Sequence, residues 1–128
     1  MAGECSLGRY KRQIMIEGIG KEGQERLMRA HVLIAGAGGL GSVVAVYIAA
    51  AGVGKIRLIY HNRVELSNLN RQILHWERDI GKAKEDSAKE KLEGLNSKLV
   101  VETIAEKITD DNAFELADDC QLIVGHVV

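Results

Sequence analysis

The strongest chemical signal in the chain is Gly36-Ala-Gly-Gly-Leu-Gly41, which fits the spacing G-x-G-x-x-G. Gly36 permits a tight turn, Gly38 lets the backbone approach a phosphate, and Gly41 lets a helix pack closely on a strand. A helix that starts here presents unpaired N–H groups and about half a positive charge to an anion. The same spacing also occurs as a plain packing turn, so its context decides its meaning. Further along, Ser67-Asn-Leu-Asn-Arg71-Gln72 is dense in hydrogen-bond donors. Lys82 and Lys84 follow, and both read as first-turn residues of the next helix. Cations there oppose the helix dipole. For Lys84 that placement points to an anionic ligand, whereas Lys82 reads as a solvated charge. Asn68, Arg71 and Lys84 together suit a triphosphate, because Arg clamps oxygens in a planar fork and Lys acts as a mobile point charge.

The surrounding elements give the glycine loop its context. His31-Val-Leu-Ile-Ala is a short apolar run that ends at glycine and reads as a strand buried on both faces. Leu40 to Ala51 is small and apolar nearly all round, which suits a helix packed on a sheet. Lys55 to Tyr60 alternates as a strand, and His61 to Gly81 reads as a long loop with a helical turn, a length usually reserved for function. Lys82 to Leu95 is an amphipathic helix with Ala83, Ala88, Leu92 and Leu95 on one side. Leu99 to Ile104 is a third strand, Asp110 or Asp111 caps a short helix to about Ala117, and Gln121 to Val124 is a fourth strand. The expected fold is therefore α/β, a Rossmann-like parallel sheet in the order β-α-β-α-β-α-β. A helical arm over residues 1–30 precedes a nucleotide-binding domain over 31–128. The fourth strand leaves Leu122-Ile-Val as an open sheet edge, so a dimer or larger oligomer is expected.

Composition narrows the partners. The 128 residues carry 17 Lys+Arg against 18 Asp+Glu, a net charge of −1, which argues against nucleic acid or an anionic membrane held by bulk charge. No stretch approaches the roughly 18 apolar residues of a membrane span. Met1 to Arg12 has no apolar core of a secretory signal. Cys5 and Cys120 are two lone thiols far apart, neither a disulfide framework nor a zinc site. These features read as a cytoplasmic protein.

A dinucleotide fold also wants an acid about 20 residues past its glycines, at the end of the second strand, to hold the ribose hydroxyls. That place here reads Tyr60-His61-Asn62, with no carboxylate, and Glu65 is the nearest. Tyr60 or His61 could stack on a base or donate one hydrogen bond. Arg63 could meet a 2′-phosphate, which keeps an NAD(P)-binding domain open as a weaker reading.

Taken in order, the segments Arg9-Tyr-Lys-Arg-Gln, the glycine loop, Ala51-Gly-Val-Gly, Val64-Glu-Leu-Ser-Asn-Leu-Asn-Arg-Gln-Ile-Leu and Gly81-Lys-Ala-Lys84 resemble the ThiF/MoeB/HesA family, bacterial relatives of ubiquitin-activating enzymes. The resemblance runs from Arg9 to about Val124. It implies binding of ATP with Mg²⁺ and adenylation of the C-terminal carboxylate of a ubiquitin-like sulfur-carrier protein. It also implies that Gly36, Gly38, Gly39 and Gly41 line the nucleotide and that Asn68, Arg71 and Lys84 contact phosphates. Arg12 would cross a homodimer interface into the partner's site, so Arg12, Arg71 and Lys84 are the catalytic candidates.

The chain departs from that pattern in three places. Tyr60 and Asn62 stand where the family has Asp-x-Asp, whose first Asp grips the ribose. Val128 stands where the family's metal carboxylate would be, so no metal ligand is expected. Members run to roughly twice this length, so the chain reads as truncated after the fourth strand. Loss of such an electrostatic element commonly costs about 10²–10³ in rate, and loss of the ribose acid about 1.5–3 kcal/mol of binding. The expectation is an ATP-binding part of an adenylyltransferase that is inactive alone. The alternative is a non-catalytic, oligomerising binding module.

Overall fold

In the computed structural model, which describes residues 7–36 and 38–125, four parallel strands form one sheet in the order β3-β2-β1-β4. The strands are β1 (His31–Ala35), β2 (Lys55–Ile59), β3 (Val100–Ile104) and β4 (Leu122–Gly125). Before β1 come α1 (Lys11–Ile14) and α2 (Gly20–Arg29). The crossovers are α3 (Gly39–Ala51), α4 (Lys84–Leu95) and the short α5 (Ala113–Leu116). The expected α/β, Rossmann-like order is the one observed.

The handedness rule fixes where the helices go. Parallel crossovers are right-handed, and β1, β2 and β3 progress in one direction. Their helices α3 and α4 therefore share one face, where Ala45, Ala49, Ala88 and Leu92 pack on Val32, Ile34, Ile56 and Leu58. From β3 the chain returns past β1 to β4, so α5 lies on the other face, where Leu116 meets Leu33 and Ile59. The direction reverses between β1 and β4, and a crevice opens at the carboxyl ends of the strands at such a switch point. At the other end of the sheet, Glu102 of β3 ties together His31 (3.2 Å), Lys55 (3.0 Å) and Arg57 (3.5 Å). β4 is an edge strand with Leu122 and Ile123 exposed.

Three expectations about the helices are corrected. Lys82 lies outside α4, which begins at Lys84 after Ala83 in extended conformation. The backbone carbonyl of Lys82 is held by the Val64 amide at 2.9 Å, so it cannot enter the helix. Neither Asp110 nor Asp111 caps α5. Asn112 precedes it, and its side-chain oxygen instead accepts the Thr109 amide at 2.7 Å. Leu95, expected on the buried side of α4, is 39% exposed at the helix end.

The N-terminal segment is fastened to α3 and α4. Tyr10 is buried, and its hydroxyl accepts from Asn96 at 2.8 Å; Asn96 also donates to the Ala49 carbonyl at 3.1 Å. Gln13 and Gln24 both donate to the Ala51 carbonyl, at 2.6 and 3.0 Å, and Gln13 donates to Gln24. Arg9 caps the Leu95 carbonyl at 3.0 Å. The glycines of Ala51-Gly-Val-Gly make this fit possible. Gly52 has φ +95° and ends α3 in the left-handed conformation. A Cβ on Gly54 would lie 1.9 Å from the Met28 carbonyl oxygen. Among the described residues, no helix is long and apolar enough to cross a membrane.

Gly54→Ala should therefore cost about 3 kcal/mol or more, since the atom it meets is backbone and cannot step aside. Gly94→Ala, inside α4 with nothing within 4 Å of its Cβ position, should stabilise by about 0.5–1 kcal/mol. Urea unfolding of the two variants measures both. Equal midpoints would contradict this account of the close approach.

Candidate functional site

The glycine turn begins where β1 ends. The Gly36 amide donates to the Ile59 carbonyl at 3.2 Å, which extends the β1–β2 ladder by one bond. Gly36 then takes φ +73°, which an L side chain rarely adopts, and turns the chain into α3. Gly38 precedes the helix in extended conformation, and nothing lies within 4 Å of its Cβ position. Gly41 is buried in the first turn.

The loop over residues 61–83 is closed at its base by a short antiparallel bridge between Arg63 and Ala83. The Lys84 amide donates to the Asn62 carbonyl at 3.0 Å, and the Gly81 amide to the Val64 carbonyl at 2.9 Å. This closure sets the end of β2 beside the start of α4. The result is a cleft of about 160 Å³ lined by Gly36, Gly38, Tyr60, His61, Asn62 and Lys84. That is below the roughly 300–1,000 Å³ of pockets that enclose a drug-sized ligand, so a nucleotide would sit partly outside it.

Inside the loop, Leu66–Asn68 and Glu77–Asp79 form single 3₁₀ turns. Arg71 lies on the glycine turn: a Cβ added at Gly39 would come 3.3 Å from the Arg71 Cγ. Its guanidinium is exposed and donates to the Ser67 carbonyl (3.1 Å) and the Asn70 side-chain oxygen (2.9 Å). Burial, followed by the charge of Arg71, pushes the Lys84 ammonium below its ordinary pKa, while Glu65 opposes the shift. Two like charges close to the N-terminus of α3 are an arrangement that suits an anion.

The structure thus brings Gly36, Gly38, Gly39, Arg71 and Lys84 together at the carboxyl end of the sheet. Asn68 is buried behind them, where its side-chain oxygen accepts the Glu65 amide at 2.8 Å and its carbonyl accepts the Gln72 amide at 2.9 Å. It holds the turn that carries Arg71. Arg12 is exposed on α1, is not among the residues lining the cleft, and makes no hydrogen bond or ion pair among the described residues. Val128 lies outside the described residues, as does Cys5. Among the described residues no group of three or more His, Cys, Asp or Glu could hold a metal ion.

Three side chains differ from their sequence-based reading. Tyr60 cannot stack on a base, because it is 3% exposed in the core on the α3–α4 side of the sheet. Burial, then the Glu85 carboxylate, raises its hydroxyl pKa. Arg63 donates to the Gly81 carbonyl at 2.8 Å and lines a separate groove, so it does not await a 2′-phosphate. Lys82 is paired with Asp79 at 3.3 Å and Glu90 at 3.2 Å rather than simply solvated.

Under the loop lies a polar network that no spacing announces. Asp79 is fully buried; Lys91 donates to its Oδ2 at 2.5 Å, and the Trp76 amide donates to the same oxygen at 2.8 Å. Burial alone would raise the Asp79 carboxyl; the hydrogen bonds from Lys91 and Trp76 outweigh it and hold the group below the usual carboxylate range. His75 is buried with Nδ1 2.9 Å from the Ser87 hydroxyl, and its Nε2 has no partner. Burial, then Lys84 and Lys91, lowers its pKa to about 4.

The comparisons with known proteins agree with this architecture. The ThiF family model matches residues 10–126. The chain is 45% identical over 118 residues to "Adenylyltransferase and sulfurtransferase MOCS3" of Culex quinquefasciatus, covering 92% of this chain and 27% of that protein. It is 44% identical over 118 residues to "Sulfur carrier protein adenylyltransferase" of Thermus thermophilus, covering 92% of this chain and 44% of that one. A crystal structure of E. coli MccB with AMPCPP and MccA superposes with a TM-score of 0.74 at 37% identity, over 79% of this chain and 30% of that one. The chain therefore spans less than half the length of the relatives it matches here.

The buried imidazole gives a pH prediction. Free His titrates near 6.5 and His75 in the fold near 4, so between those values the unfolded chain binds the extra proton. Stability should fall as pH drops from 6.5 to 4, by up to about 3 kcal/mol from this one group. Urea unfolding at a series of pH values reads the slope. His75→Gln should flatten it relative to its own value at pH 7, and an unchanged slope would rule out His75 as the source.

Proposed function

This chain belongs to the ThiF family, and from that premise we propose that it is the ATP-binding part of an adenylyltransferase for a ubiquitin-like sulfur-carrier protein. The observation that carries the reading is the convergence of Gly36, Gly38, Lys84 and the Arg71-covered Gly39 at the switch point of the sheet. The names of the two adenylyltransferase relatives and the AMPCPP bound to MccB support it. The helical arm over 1–30 and the Rossmann-like domain over 31–128 are its two parts.

In this reading the backbone amides of the glycine turn and the α3 N-terminus receive phosphate oxygens, and Gly41 lets α3 sit close to β1. Lys84 and Arg71 neutralise charge that builds on the phosphates, and Asn68 keeps Arg71 in place. The carrier's terminal carboxylate attacks the α-phosphorus, and pyrophosphate leaves. That step is positional and electrostatic. Arg12 is the residue a second protomer would lend: Arg9, Tyr10 and Gln13 are committed to the fold, and Arg12 is exposed beside them. Among the described residues no group of three or more His, Cys, Asp or Glu stands together to hold Mg²⁺. With a buried Tyr60 and an uncharged Asn62 at the sugar end, the chain alone binds nucleotide without turning it over. A binding module that has kept the fold and lost catalysis is the second reading, favoured by the same Tyr60.

Calorimetric titration of the chain with ATP tests the proposal. Binding is expected in the presence or absence of Mg²⁺, because the cleft's cations and amides do not depend on it. Lys84→Ala should weaken it tenfold or more, the scale of a charge-assisted hydrogen bond of about 1.5–3 kcal/mol. The variant should keep its fold, since the change removes a cation from a helix N-terminus. Absence of ATP binding at millimolar concentration would end the nucleotide reading and leave the binding module.

A further inference from the structure

The cleft is furnished unequally at its two ends. Its phosphate end has the α3 N-terminus, with Gly38 just before it, and the cation Lys84, with Arg71 beside it against Gly39; the Gly36 amide is already bonded to the Ile59 carbonyl. Its sugar end is where β2 stops, because the ribose hydroxyls of a nucleotide on a doubly wound sheet meet the residues at the end of the second strand. Those residues are Tyr60, His61 and Asn62, and none of the described residues lining the cleft is a carboxylate.

Each of the three is limited in what it offers a sugar. Tyr60 continues the inward set of Ile56 and Leu58 on β2 and packs in the core on the α3–α4 side. Its ring meets His75 edge-on with centroids 6.4 Å apart. Its hydroxyl is buried without a hydrogen-bond partner, under the influence of Glu85 on α4. A side chain so enclosed does not reach a sugar diol. His61 and Asn62 are exposed. An imidazole and a carboxamide offer neutral partners of ordinary strength, and neither provides the two charged oxygens of a carboxylate that hold both hydroxyls. The Asn62 carbonyl is already taken by the Lys84 amide at 3.0 Å.

We infer that this cleft selects the phosphates and not the sugar, so that ribo- and 2′-deoxyribonucleoside triphosphates bind alike, because Tyr60 is turned into the core and Asn62, the exposed position that remains beside the cleft, is uncharged. The inference rests on the nucleotide reading of the same cleft and adds its specificity. A charged acceptor on the ribose would contribute roughly tenfold to a hundredfold in affinity; this chain does without it.

The test is a paired titration of the full chain with ATP and 2′-deoxy-ATP, followed by the same pair on Asn62→Asp. The substitution is nearly isosteric and leaves the backbone bond to Lys84 in place, and the ratio of the two affinities is insensitive to any overall change in charge. The wild-type ratio should lie within about threefold of one. Asn62→Asp should shift it at least fivefold in favour of ATP. A wild-type preference of tenfold or more for ATP would overturn the inference while leaving the nucleotide reading intact. Equal binding by the wild type with no shift in Asn62→Asp would overturn the role given to Asn62. If neither triphosphate binds, the nucleotide reading itself fails and this inference falls with it.

Discussion

The amide of Lys84 donates to the carbonyl of Asn62, and the amide of Val64 to that of Lys82. These bonds join the end of β2 to the start of α4 across a loop over residues 61–83. Closing a loop of this length costs entropy that grows only slowly with its size, but the closure must be held. What holds it is beneath: Lys91, 7% exposed, reaches from α4 to Asp79, Ser87 and the Leu74 carbonyl, and His75 leans on Ser87. Were the base of the loop to open, Lys84 would leave the glycine turn and Arg71 would leave Gly39. The placement of Lys84 and Arg71 beside the glycine turn thus depends on a buried ion pair under the loop. Such pairs add little net stability, yet removing one partner is strongly destabilising, so their use here is to specify one loop arrangement.

The sheet and most of its helices were legible because their patterns are local. His31 to Ala35 reads as a strand buried on both faces, and all five residues are buried. The charged run ending at Leu95 shows its apolar side at Ala88 and Leu92. The glycine loop was legible because its position after a strand is part of the motif. What was not legible depends on distant partners. Asp79 and Lys91 are twelve residues apart with a loop end and a helix between them, and nothing in their spacing marks them as a pair. The start of α4 was misjudged for a similar reason: the Lys82 carbonyl is claimed by Val64 from across the loop. Tyr60 is a different case. Strand alternation already places it with Ile56 and Leu58, opposite Arg57, and its burial follows from that period.

The resemblance to a known family supplied roles, and the geometry sorts them. Tyr10, Gln13, Gly52 and Gly54 belong to motifs that carry the resemblance, yet their work is to dock the N-terminal segment on α3 and α4. Gly54 admits the Met28 carbonyl, and Gln13 and Gln24 share the Ala51 carbonyl. Motif residues with such partners need no ligand to explain them. Arg12 is exposed and has none among the described residues, so its presence in the same stretch is what the fold leaves over.

The same sorting at the cleft separates binding from chemistry. Every group that would hold phosphate is either backbone or a cation, and backbone amides survive almost any substitution nearby. The groups that would align a sugar are single side chains, and one of them has been drawn into the core. The Tyr60 ring is packed in the core on the α3–α4 side of the sheet, so it serves packing rather than a ligand. On the proposed nucleotide reading, such a cleft attracts the part of the ligand that carries the charge. It would lack the grip that fixes the nucleotide's orientation, and orientation is what an in-line attack at phosphorus requires. On that reading, affinity and turnover would come apart for one structural reason, the direction of the Tyr60 side chain at the end of β2.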